Sequence, residues 1–114
     1  MRQTSGAWTF RDGPHDIEGL VSWTVEARDG EVGKVDDASL DAGEGAIVVA
    51  TGPVLLGHMV LLPAGLVERV DPEHRRVHVG ATREQIESSP RRRTSVRLDD
   101  EDFRARVAAH YGLS

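Results

Sequence analysis

Turn-forming clusters punctuate residues 20–80 so closely that no helical crossover fits between them. Asp29-Gly30, Asp41-Ala42-Gly43-Glu44-Gly45, Thr51-Gly52-Pro53 and Asp71-Pro72-Glu73-His74 are each flanked by short alternating or apolar runs. Parallel neighbours need a connection of about a dozen residues or more, so this spacing favours antiparallel strands. A small sheet of that kind buries its apolar face and hides its edges by rolling up. The expectation is an all-β fold, a small antiparallel β-barrel of about six strands, with a short helix after the barrel and a C-terminal helix.

The strands are read from side-chain period. Leu20 to Ala27 alternates, with Val21, Trp23, Val25 and Ala27 on one face and Leu20, Ser22, Thr24 and Glu26 on the other. A turn at Arg28–Glu31 leads to a second strand from Val32 to Leu40, in which Gly33 marks a bulge or a close approach of another backbone. Ile47 to Ala50 is apolar on both faces and reads as a central strand. Val54 to Leu62 reads as a hairpin or a bent strand with its corner at Gly57, ended by Pro63, which has no N–H to donate. Ala64-Gly65-Leu66 is an irregular turn before Val67–Val70. Arg75–Val79 follows, with Val77 and Val79 pointing one way and Arg76 and His78 the other.

After Gly80 the period changes. Thr82 and Gln85 have capping-box spacing, so a helix opens there and runs to Ser88, with Pro90 as its stop. Arg91–Arg97 reads as an exposed linker. A second helix begins after Asp99 as N-cap, with Leu98 and Phe103 as a hydrophobic staple and Gly112 at the C′ position. Phe103, Val107 and Tyr111 form its apolar stripe. The organisation is an N-terminal arm (1–18), a barrel (19–90), a linker (91–98) and a C-terminal helix (99–112).

Composition narrows the function classes. The chain of 114 residues is long enough for one domain, and 39% hydrophobic with 29% charged residues is a globular balance. The absence of cysteine excludes a disulfide framework, a thiolate metal site and a cysteine nucleophile. A net charge of −5 argues against a general affinity for nucleic acid. The N-terminus lacks a signal-peptide stretch, and no apolar run approaches the ~20 residues needed to span a bilayer, so a cytoplasmic location is expected.

Candidate sites are few. His74 and His78 sit on a turn entering a strand, where four residues span ~13 Å and cannot share one ion. His58, beside Gly57, is a candidate pH-sensitive contact. Gly33-Lys34 lacks the remaining residues of a phosphate loop, since Arg28 and Val35 occupy the required positions. Asp36, Asp37, Asp41 and Glu44 lack the order of a calcium loop, and no nucleophile elbow is present. Two aromatic residues in the first ten positions, Trp8 and Phe10, imply that the arm docks somewhere, as does Trp23 within the barrel. Arg91, Arg92 and Arg93 form a basic run, and Arg92-Arg93-Thr94-Ser95 has the pattern of a basophilic-kinase site.

Taken together, Asp29-Gly30, Gly33-Lys34-Val35-Asp36, Thr51-Gly52-Pro53, Gly57, Leu62-Pro63-Ala64-Gly65, Val70-Asp71, and Thr82 with Gln85-Ile86 and Pro90 resemble the PRC-barrel family over Leu20–Pro90. The likeness is closest to free-standing actinobacterial-type members, which similarly begin with an aromatic segment and end in a short helix with Tyr-Gly. It implies a compact β-barrel used as an interaction module, as in the ribosome maturation factor, whose related domain contacts a ribosomal protein. It transfers no catalytic residue. The chain departs from the family at Ser89–Arg93 and at Leu55-Leu56, so surfaces built there differ.

The function expected is a non-enzymatic, self-associating adaptor that needs no cofactor or metal. Its partner surface would draw on Trp8, Phe10, Arg91, Arg92, Arg93, Phe103, Val107 and Tyr111. The C-terminal helix is too short to be stable alone, so its stripe docks either on its own barrel or on a twin subunit. The alternative is an RNA- or ribosome-associated assembly factor using the arginine run; an enzyme with a small-molecule substrate ranks last.

Overall fold

Six strands form one sheet: β1 (Thr24–Ala27), β2 (Gly30–Val35), β3 (Ala46–Thr51), β4 (His58–Pro63), β5 (Val67–Asp71) and β6 (Arg76–Val79). This is a computed structural model, and it describes residues 8–10, 16–42, 45–52, 58–91, 97–98 and 100–113. The short helices α1 (Ile17–Leu20), α2 (Ser39–Ala42) and α3 (Arg83–Glu87) lie around the sheet, and α4 (Glu101–His110) follows.

The strand order is β4-β3-β2-β1-β6-β5, and all pairs are antiparallel except β1 with β6, which run parallel. This corrects the expectation of a wholly antiparallel, closed barrel. Short turns dictate antiparallel pairing only between strands consecutive in the chain. β1 and β6 are not consecutive, and everything between them serves as their crossover. Closure would require β4 to pair with β5. Instead Pro63 ends β4 and a 3₁₀ turn over Ala64–Leu66 leads the chain away, so β4 and β5 remain the two edges of a curled, half-barrel sheet.

Sequence detail explains the register. The Asp29-Gly30 turn joins β1 to β2 with Gly30 at φ 136°, and the Asp29 carboxylate also accepts the Arg83 N–H that opens α3 (2.8 Å). Val25 faces Gly33 but Glu26 faces Glu31, so Val32 is the extra residue of a bulge. A Cβ on Gly33 would collide with the Ala50 carbonyl oxygen of β3. Bulge and close approach, the alternatives raised by that glycine, occur together. At the far edge, the β5 register skips Glu68, and the Arg28–Glu68 and Arg69–Asp71 ion pairs surround it. A bulged, charged edge resists pairing with other chains.

The apolar run of β3 is buried on both faces because the sheet has two cores. Ile47 and Val49, with Val60 and Leu62, face an inner core shared with Val25, Val35, Val77, Val79 and Ile86. Ala46 and Val48, with Leu61, face an outer core under Ala42, Leu98, Phe103 and Val107. α4 is therefore a lid over β3 and β4, and burying Phe103 and Val107 contributes about 1.5–3 kcal/mol each.

Three boundaries differ from the sequence reading. Residues 17–20 close a helical turn, Ser22 adopts φ 77°, and β1 starts only at Thr24. β2 stops at Val35 because the Asp36 carboxylate accepts the Ala38 N–H (2.9 Å) and turns the chain into α2. The N-cap of α4 is Asp100, which accepts the Phe103 N–H (2.8 Å); Asp99 lies outside the described residues, as do Val54–Gly57. Other signals fall where expected. Thr82 and Gln85 complete a capping box, and Gly112 at φ 72° closes a Schellman motif through Leu113 N–H to Ala108 O (2.8 Å).

Candidate functional site

The N-terminal aromatics are tied to their own chain. Phe10 enters the inner core at 8% exposure, and Trp8 packs against the outer core with the Arg104 guanidinium 4.7 Å above its ring. Arg104 also donates to the Ala42 carbonyl (2.6 Å) and to the Leu98 carbonyl (3.2 Å), so one side chain joins the arm, α2 and α4. Trp23 is half-buried against the inner core.

The stripe on α4 docks inward. Phe103 (3% exposed) and Val107 (0%) lie on this chain's own sheet, and Tyr111 packs where the two cores meet. In this structure the helix lies on the chain's own sheet, the first of the two docking modes left open by the sequence, with Phe103 and Val107 turned inward. Burial pushes the Tyr111 phenol up to about 12, opposed by the Ser89 hydroxyl. Neither hydroxyl reaches hydrogen-bond geometry with any partner.

Arg91 is placed differently. It forms an isolated antiparallel bridge with Val60 at the edge of β4, and its exposed side chain borders a notch of about 250 Å³ on the outer face. Ala38, Val48, Met59, Leu61 and Leu98 supply the apolar walls. Met59 is 49% exposed there and Leu40, on the outward side of α2, 52%. Arg92, Arg93, Thr94 and Ser95 lie outside the described residues.

The histidines separate into distinct roles. His74 Nδ1 donates to the Asp71 carboxylate (2.8 Å), while His78 Nε2 accepts from Arg69 (3.1 Å). Asp71 also accepts the backbone N–H groups of Glu73 and His74, and the hydrogen bond from His74 holds its carboxyl below the ordinary range. The donor atoms of Asp71, Glu73 and His74 lie within 4.8 Å of one another on this turn, whose internal bonds account for the grouping. His58 and His110 both serve α3, donating through Nε2 to the Glu87 carbonyl (3.2 Å) and the Gln85 carbonyl (2.6 Å).

Elsewhere on the outer face, Arg76 bridges Glu26 (2.8 Å) and Glu31 (3.0 Å), and these carboxylates raise its already high pKa. This half of the sheet carries a partly exposed charged cluster. No described helix is long and apolar enough to cross a membrane.

Sequence reasoning missed the notch. Its walls come from α2, β3, β4 and Leu98, which have no local spacing in common. One signal was present: Met59 shares a face with Leu61, and the residues beside it in sequence name nothing to cover it. Searches against models of known protein families and against curated proteins returned no match for this chain.

Proposed function

We propose that this chain is a non-enzymatic adaptor of the PRC-barrel type, which binds another protein over the notch beside Met59. The observation that carries the reading is the contrast between this notch and the rest of the sheet. The inner core is filled, and the outer core is closed by α4, α2 and Trp8. The remaining outer face carries the Glu26–Arg76–Glu31 cluster. Apolar wall reaches solvent at Met59, with a cation on the rim. Ligand pockets for small molecules occupy about 300–1,000 Å³ and enclose most of their guest. An open notch of about 250 Å³ suits one or two side chains of a protein surface instead. The curled six-stranded sheet, the Asp29-Gly30 turn and the close approach at Gly33 are consistent with the family likeness.

The test replaces Met59 with a photo-crosslinking amino acid in the source cells, with the same replacement at exposed Glu73 as control. The expected result is a discrete cross-linked protein product from position 59 alone. Equal labelling from both positions, or none from either, refutes the reading.

A further inference from the structure

The ionisable groups lining the notch are all of one sign. Arg91 and His58 stand among its walls, and no described carboxylate does. That sign is opposite to the chain's net charge of −5. Arg91 is exposed and makes no ion pair or side-chain hydrogen bond among the described residues. It is also the first of three consecutive arginines in the sequence. His58 is anchored through Nε2 to the Glu87 carbonyl (3.2 Å) and can add positive charge to the notch but never negative. The exposed Asp37 adjoins Ala38 in sequence, yet it lies outside the lining and does not pair with Arg91.

Position matters as much as sign. Main-chain pairing of Arg91 with Val60 ties the base of that side chain to the β4 edge, on the same notch as Met59 and Leu61. A cation held beside an apolar centre is matched by a guest that offers an apolar group and a carboxylate together. Nucleic acid is a poorer match, because its binding sums many phosphate contacts over a basic surface, whereas this chain is acidic as a whole.

We propose that the notch takes an acidic segment of another protein: one apolar side chain of the segment seats against Met59, Leu61 and Leu98, and a neighbouring aspartate or glutamate pairs with Arg91. This deepens the reading of the notch as a protein-binding surface and rests on it. The ion pair is exposed, so it selects among partners more than it adds strength, and binding loosens as salt rises.

The experiment titrates the full chain with two synthetic peptides, acetyl-Asp-Asp-Leu-Asp-Asp-amide and acetyl-Lys-Lys-Leu-Lys-Lys-amide, over roughly 0.1–10 mM, a range suited to so small a contact. Amide signals are followed by nitrogen-correlated NMR. The acidic peptide is expected to move the signals of Met59, Leu61 and Arg91, with an affinity there about tenfold above that of the basic one. Only shifts at the notch count, because an acidic chain attracts a basic peptide diffusely. Arg91→Lys should keep the order of the two peptides, and Arg91→Glu should reverse it. Position 91 is exposed, and circular dichroism checks that both variants fold.

Equal affinity of the two peptides at the notch, indifference to Arg91→Glu, or no notch shift with the acidic peptide overturns the acidic chemistry. Cross-linking from position 59 in the source cells then tells the two failures apart. An adduct to a protein segment without carboxylates, or to a second copy of this chain, keeps the notch as a protein-binding surface. An adduct to RNA, or none at all, removes that broader reading as well.

Discussion

Replacing Ser39 with alanine removes two hydrogen bonds and little volume. β2 stops pairing at Val35, yet β3 continues, so Val48 lacks the strand neighbour that would satisfy it. The Val48 carbonyl accepts the Asp36 N–H (2.8 Å), and its N–H donates to the Ser39 hydroxyl (2.7 Å), which donates back to the same carbonyl (3.2 Å). Ser39 is 1% exposed and stands in for the missing strand. Alanine restores a few tenths of a kcal/mol in helix propensity but leaves a buried donor unsatisfied, which costs about 1–3 kcal/mol. The net loss should be near 1.5 kcal/mol, a fall in Tm of about 5–10 °C for a domain of this size. Urea unfolding followed by far-UV circular dichroism measures it, with Ser88→Ala as control. Ser88 is exposed and donates to the Glu84 carbonyl (2.8 Å), so its loss should stay within about 0.5 kcal/mol. Equal midpoints for the two variants would show that Val48 finds another partner, and the substitute-strand argument would fail.

Gly33→Ala drives a Cβ into the Ala50 carbonyl and toward Thr51 Cα, both backbone, so relief requires parting β2 from β3. A loss of about 3 kcal/mol or more is expected in the same urea experiment, and less than about 1 kcal/mol would refute the close packing. Tyr111→Phe should be neutral or stabilising at neutral pH, because the hydroxyl it deletes has no hydrogen bond. The phenol titrates at about 12 in the fold against 10.0 when unperturbed, so the folded state holds its proton longer. Its contribution is complete below pH 10 and disappears as pH rises toward 12. Melting curves across that window should fall less steeply for the phenylalanine variant, and parallel curves would contradict the burial of the hydroxyl.

What could be read in advance followed the range over which each signal acts. The Thr82–Gln85 box, the Asp29-Gly30 turn and the two-faced run of β3 are local, and each stands where its residues place it. The end of β2 was harder, because Val32–Leu40 keeps plausible strand composition until the Asp36 side chain captures the Ala38 N–H. The parallel pairing of β1 with β6 left no trace in the turns, which report only on neighbours in the chain. Neither Ser39 nor Arg104 carries a local signature; each matters because of carbonyl or amide groups that tertiary structure brings to it. The notch has the same origin, being assembled from four separate stretches around a methionine that reads as an ordinary strand residue.

The parallel contact between β1 and β6 also dictates an order of events. Its partners, such as Glu26 and the Arg76 it binds, are separated by 50 positions. Loop-closure entropy delays such a contact, so local hairpins form first. During synthesis, β1 leaves the ribosome with β2 at one side and bare amide groups at the other. It stays in that state until residues 76–79 emerge. The β5–β6 hairpin is therefore expected to join β1 only after the local hairpins have formed, and a chain cut short before Arg76 would keep β1 as an open, aggregation-prone margin.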